Sequence, residues 1–132
     1  MEDFEPHSHS RYCCLNTFRF AWKGIQYLFR TQPNARIHLV ILLLVVIAGF
    51  FLKISRYEWL AVLLISALVF TAEGLNTALE ILGDEIAEGK WKNLVGRAKD
   101  VSAGAVLIAA LFAVIVGLVI FVPHILQYID AL

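Results

Sequence analysis

The chain has 132 residues, 60% of them hydrophobic, with a mean hydropathy of +0.75. That composition excludes an ordinary soluble domain and indicates a single domain that lives in a bilayer. The 11 basic and 11 acidic residues cancel, so no overall charge argues for nucleic acid or another polyanion as partner.

Residues 1–14 are expected to form a mobile tail: Glu2, Asp3, Glu5, Pro6, His7 and His9 show no periodicity. His7 and His9 lack a third metal ligand, and Cys13 and Cys14 are neighbours that rarely reach disulfide geometry, so both pairs are read as structurally idle. No apolar run follows a basic start, and insertion is expected to depend on internal spans.

From about residue 15 to 31 the pattern is helical and amphipathic. Leu15, Phe18, Trp22, Ile25 and Phe29 fall on one side and Arg19, Lys23, Gln26 and Arg30 beside them. An aromatic face next to a basic face suits a helix lying in the headgroup region. Pro33 ends it.

Three apolar spans follow, at about 36–53, 57–86 and 98–122, with a short tail at 124–132 after Pro123. His38 and Trp91 read as interfacial anchors. The second span exceeds the bilayer thickness, so its last turns, with Asp84, Glu85 and Glu88, should project into water. The third carries Ser102, Ala103, Gly104, Ala105, Ala109 and Ala110, small residues that permit close helix approach. Nine of the 11 Lys and Arg residues fall on the side that holds the N-terminus, and only Lys53 and Arg56 on the other. The N-terminus is therefore expected in the cytoplasm and the C-terminus outside.

The chemistry-bearing feature is a stripe in the second span, Glu73, Asn76 and Glu80, at helical offsets that stack them on one face. Intramembrane acids cost about 2.5–3.5 kcal/mol each on insertion scales, so they face a bundle interior, a cation or a proton path. Glu73 and Glu80 lie roughly 10 Å apart along the axis. The row could connect a buried lipid hydroxyl to a water-soluble co-substrate. Glu73, partly desolvated, suits a proton acceptor, and Glu80, nearer water, suits a hard cation such as Mg2+. Gly96 to Asp100 place cations at the start of the third span, where phosphate could be held. A helix-joining role for Asn76, or a proton or ion path, would explain the same stripe. No phosphate-binding loop, glycine-rich kinase loop or HExxH motif is present. The serines lack a His and carboxylate at a usable spacing, so serine-nucleophile chemistry is not expected.

WKG at Trp22–Gly24, ARIH at Ala35–His38, AEGLNTALEILGDEI at Ala72–Ile86 and GRAKDVSAGAVLIAA at Gly96–Ala110 together resemble the prokaryotic diacylglycerol kinase and undecaprenol kinase family over about residues 15 to 120. The resemblance implies an all-α integral-membrane lipid kinase over 15–123, in the bacterial inner membrane, working as a homotrimer with shared active sites. It implies ATP as co-substrate and Mg2+ as cofactor. Glu73 then matches the catalytic base, with Asn76 beside it; Glu80 matches a metal ligand; Lys99 and Asp100 match nucleotide contacts. Phe20, Lys90 and Lys92 are looser nucleotide matches, and Trp22, Arg36 and Ser102 looser lipid contacts. Gln32 stands where the family carries a second metal-binding Glu, and offers a carbonyl oxygen without charge. Undecaprenol is the acceptor the motifs favour, with diacylglycerol next. The alternatives are a non-catalytic transporter or scaffold, and a relative retooled to remove phosphate from a polyprenyl phosphate.

Overall fold

A computed structural model describes residues 14–90 and 92–131. The expected tail, with its histidines and Cys13, and the anchor Trp91 lie outside these residues. Four helices follow in order: α1 (Cys14–Thr31), α2 (Pro33–Leu52), α3 (Arg56–Ala87) and α4 (Asn93–Asp130). The chain is all-α, and α2, α3 and α4 are each long and apolar enough to cross a membrane.

The helix boundaries follow from local chemistry. Pro33 occupies the first turn of α2, where its missing N–H costs nothing. Arg36, one turn later, donates from Nε to Phe29 O at 2.7 Å and from Nη2 to Arg30 O, capping the carbonyl end of α1. At the far end of α2, Lys53 takes a left-handed conformation at φ 54°. The Lys53 N–H reaches Phe50 O and the Ile54 N–H reaches Gly49 O at 3.1 Å, a Schellman closure. Ser55 then opens α3 with a capping box: Glu58 Oε2 accepts from the Ser55 N–H at 2.6 Å, and Ser55 Oγ accepts from the Glu58 N–H.

α3 and α4 pack antiparallel along most of their length, while α2 and α1 lean on them more sparingly. On α3 the buried positions Val62, Val69, Asn76 and Gly83 recur every seven residues, with Glu73 and Thr77 beside them. That is the period of a left-handed supercoiled pair. α4 answers with Ser102, Val106, Ala109 and Ile120, and the small Ser102 and Ala109 let the backbones approach closely. The polar stripe therefore lies in the packing seam and not on the lipid side, where Leu64, Leu75 and Leu107 are exposed.

The third span differs from its expected limits of 98–122. It begins at Asn93 and runs through Pro123 to Asp130 without ending. Proline removes one hydrogen bond, but tertiary contacts hold the turns beyond it. His124 Nε2 lies 3.7 Å from Glu58 Oε2, His124 Nδ1 lies 2.9 Å from Ile120 O, and the Tyr128 ring meets Phe51 at 5.5 Å. The expected short tail at 124–132 is thus helical through Asp130, pinned against the α2–α3 corner.

Candidate functional site

Glu73 is the most enclosed large side chain of the described residues, 1% exposed. Neither carboxylate oxygen has a hydrogen-bond partner. A carboxylate so placed carries a desolvation cost that no hydrogen bond offsets, so the position is not one that folding alone selects. Phe29 of α1 meets Phe70, one turn before Glu73, edge to face at 5.8 Å. His38 of α2 and Glu80 of α3 both act on Glu73 electrostatically. His38, expected from the sequence as an interfacial anchor, comes within electrostatic range of Glu73 through the pairing of α2 with α3. Gln32 is the N-cap of α2 and makes no side-chain cap hydrogen bond of its own.

Asn76 and Glu80 are joined directly. Asn76 Nδ2 donates to Glu80 Oε1 at 3.0 Å, and Ser102 Oγ donates across from α4 to Asn76 Oδ1 at 2.6 Å. Ser102 Oγ also lies 2.9 Å from Lys99 O, so a chain of polar contacts runs from the α4 backbone to Glu80. Lys99 itself reaches Asp84 Oδ1 with Nζ at 2.5 Å. Gly83 makes room for it: a Cβ there would stand 3.0 Å from Val95 Cγ1 and 3.2 Å from Lys99 Cε.

Two cavities flank this chain. One, of about 450 Å³, opens among Asp84, Gly89, Lys90, Lys92, Gly96 and Lys99, with three ammonium groups around one carboxylate. Of these, Lys92 already donates to Ile86 O, closing the carbonyl end of α3. The other, of about 760 Å³, is an apolar groove between Leu68, Leu75 and Leu79 of α3 and Val101 and Ala105 of α4, with Asn76 and Ser102 at its polar edge and Arg97 at one end. Glu73 lines neither of them.

The remaining candidates sit apart. Phe20 and Trp22 are on α1, 39% and 54% exposed, Asp100 is exposed on α4, and Arg36 is engaged by the carbonyl end of α1. Among the described residues no three His, Cys, Asp or Glu side chains gather into a metal cage. Glu80 lines neither cavity but stands one helical turn from Asp84, which lines the cationic one; a lone carboxylate so placed fits Mg2+, which is usually held by one or two carboxylates with phosphates and water completing the shell.

A family model described as prokaryotic diacylglycerol kinase matches residues 19–121. A diacylglycerol kinase of Synechocystis is 42% identical over 113 residues, 86% of this chain and 65% of that protein, so the chain spans just under two thirds of that relative. An undecaprenol kinase of Bacillus subtilis is 36% identical over 121 residues, 92% of this chain and 98% of that one. A diacylglycerol kinase of Escherichia coli is 36% identical over 107 residues, 80% of this chain and 85% of the other.

Proposed function

This chain belongs to the prokaryotic diacylglycerol kinase family and is a membrane lipid kinase, and from that premise we propose that it transfers the γ-phosphate of ATP to the hydroxyl of a lipid alcohol at the cytoplasmic face. The observation that carries the proposal is the enclosed Glu73 carboxylate with both oxygens unpartnered. A lipid hydroxyl entering the bundle would supply the missing partner. Glu73 takes its proton as the alcohol oxygen bonds to the γ-phosphorus and the bond to the β-phosphate oxygen breaks, releasing ADP. Because Glu73 lines neither cavity, the hydroxyl reaches it by parting the helices around it, or from a neighbouring protomer of a homotrimer.

The other residues position and neutralise. Lys99, Lys90 and Lys92 surround the 450 Å³ cavity and would hold the phosphates, while Asp100 and Phe20 would face the nucleoside end. Glu80 would hold Mg2+, with Gln32 contributing at most a carbonyl oxygen; the ion supplies charge neutralisation between the transferring phosphates. The apolar groove suits a polyprenyl or acyl chain, with Ser102 at its polar edge and Trp22 and Arg36 toward the headgroups. Undecaprenol is the favoured acceptor and diacylglycerol the next. The near end-to-end match to the undecaprenol kinase supports that order. The protein would sit in the bacterial inner membrane with its N-terminus in the cytoplasm, the side that holds most of its Lys and Arg.

The test is an acceptor panel: purified protein in detergent, radiolabelled ATP, Mg2+, and undecaprenol or diacylglycerol, repeated with Glu73→Gln. Labelled lipid from the wild type and its near-loss in the variant are expected. No labelled lipid with any acceptor, or an undiminished rate in Glu73→Gln, would overturn the reading.

A further inference from the structure

The Asn76 side chain sits between two groups that demand different things of it. Asn76 Nδ2 stands 3.0 Å from Glu80 Oε1 and donates to it; with the amide turned over, a carbonyl oxygen would face a carboxylate oxygen there. The carbonyl oxygen Oδ1 is thereby turned to α4, where Ser102 Oγ stands at 2.6 Å. Ser102 has a single hydroxyl hydrogen and two acceptors within reach, Asn76 Oδ1 at 2.6 Å and Lys99 O at 2.9 Å. Lys99 O also has the α4 helix ladder to serve it, whereas Asn76 Oδ1, 6% exposed as a residue, has no other donor shown. The shorter contact and the greater need agree on where the hydrogen goes.

We propose that Ser102 is a positioning residue of this site: its hydroxyl locks the Asn76 amide so that the NH2 group, and not the carbonyl, faces Glu80. Two consequences follow from the geometry. Asn76 Oδ1 accepts from Ser102 and is turned to α4, away from Glu80, so Asn76 serves as a donor that fixes one oxygen of Glu80. The other Glu80 oxygen, Oε2, is then aimed by a hydrogen bond made on its twin, across a lock that originates on a different helix. Ser102 thus acts through Asn76 and touches neither phosphate nor metal. The step from Glu80 to Mg2+ rests on the kinase reading; the orientation of the amide does not.

The experiment uses the full chain in detergent with selective 15N-asparagine labelling. The sequence has four asparagines, Asn16, Asn34, Asn76 and Asn93, so the side-chain amide spectrum is simple, and Asn76→Gln identifies the Asn76 pair. In the wild type the Asn76 NH2 protons should exchange slowly with water. Ser102→Ala should shift that pair and speed its exchange, and Ser102→Thr, which keeps a hydroxyl, should restore both. Loss of one buried hydrogen bond should also raise the Mg2+ concentration for half-maximal activity about 2- to 10-fold in Ser102→Ala, with recovery in Ser102→Thr. Unchanged Asn76 resonances in Ser102→Ala, or equal behaviour of the Ala and Thr variants, overturn the lock. Should Ser102→Ala not fold, Ser102→Cys with its weak S–H donor must give an intermediate shift, and a wild-type spectrum there overturns the lock as well. If the resonances move as expected but the wild type phosphorylates no lipid, the kinase reading falls and the lock stands.

Discussion

Lys99 of α4 and Asp84 of α3 meet at 2.5 Å, Nζ to Oδ1, at the mouth of the cationic cavity. The Asp84 side chain is 73% exposed and that of Lys99 31%, so this pair is wet and contributes little to stability. A triphosphate would compete with Asp84 for the ammonium. Asp84→Asn should therefore leave the unfolding temperature nearly unchanged and move the ATP KM by less than about fivefold. Lys99→Met should cost about 10²-fold in kcat/KM. Steady-state kinetics at saturating lipid reads both; a Lys99→Met enzyme with wild-type kcat/KM would remove Lys99 from the nucleotide site.

Glu73 adds an opposite sign to stability and function. A buried, unpartnered carboxylate weakens the fold it sits in, as reactive sites often do. Glu73→Gln should lower kcat by about 10²–10⁴-fold. The same variant should unfold at an equal or higher temperature in detergent. A marked loss of thermal stability would instead make Glu73 a structural residue.

Gln32, the N-cap of α2, carries no charge where the family resemblance expects a metal-binding Glu. Gln32→Glu should provide a second carboxylate and lower the Mg2+ concentration needed for half-maximal activity, by about 3- to 10-fold. Manganese titration followed by electron paramagnetic resonance gives the same comparison without turnover. An unchanged metal requirement would place Gln32 outside the metal's reach.

At the opposite end of the bundle, a Cβ on Gly49 would stand 2.8 Å from Trp59 Cη2 and 3.0 Å from Ile54 Cδ1. The Phe50 and Trp59 rings pack beside it at 4.9 Å, so the indole has little freedom to withdraw. Gly49→Ala should destabilise by about 1–3 kcal/mol while the ATP KM of the folded fraction stays put. Thermal unfolding in detergent checks the first expectation and kinetics the second.

Pro123 lies inside α4, where it leaves Val119 O without its usual helical donor. Pro123→Ala returns that donor and should raise stability by about 1 kcal/mol. A lower unfolding temperature would mean that the proline bend is what seats Tyr128 against Phe51.

Much of this was legible from the chain alone because it is local. Apolar runs of membrane length, the break at Pro33 and the spacing of Glu73, Asn76 and Glu80 are all properties of neighbouring residues, read through the 3.6-residue turn and the cost of polar groups in lipid. The stripe's residues were identifiable because two acids and an amide are costly in an otherwise apolar span. What tertiary structure decided was the partner of each side chain. Ser102 faces Asn76 across 26 residues of sequence and Lys99 faces Asp84 across 15, and Arg36 is turned to the end of α1. His38 comes within electrostatic range of Glu73, and α4 continues past Pro123, for the same reason. Each of these depends on the rotation and height of one helix against another, which small residues such as Gly83 and Ala109 set by letting backbones close. Periodicity fixes which face of a helix is polar, but only packing fixes what that face meets.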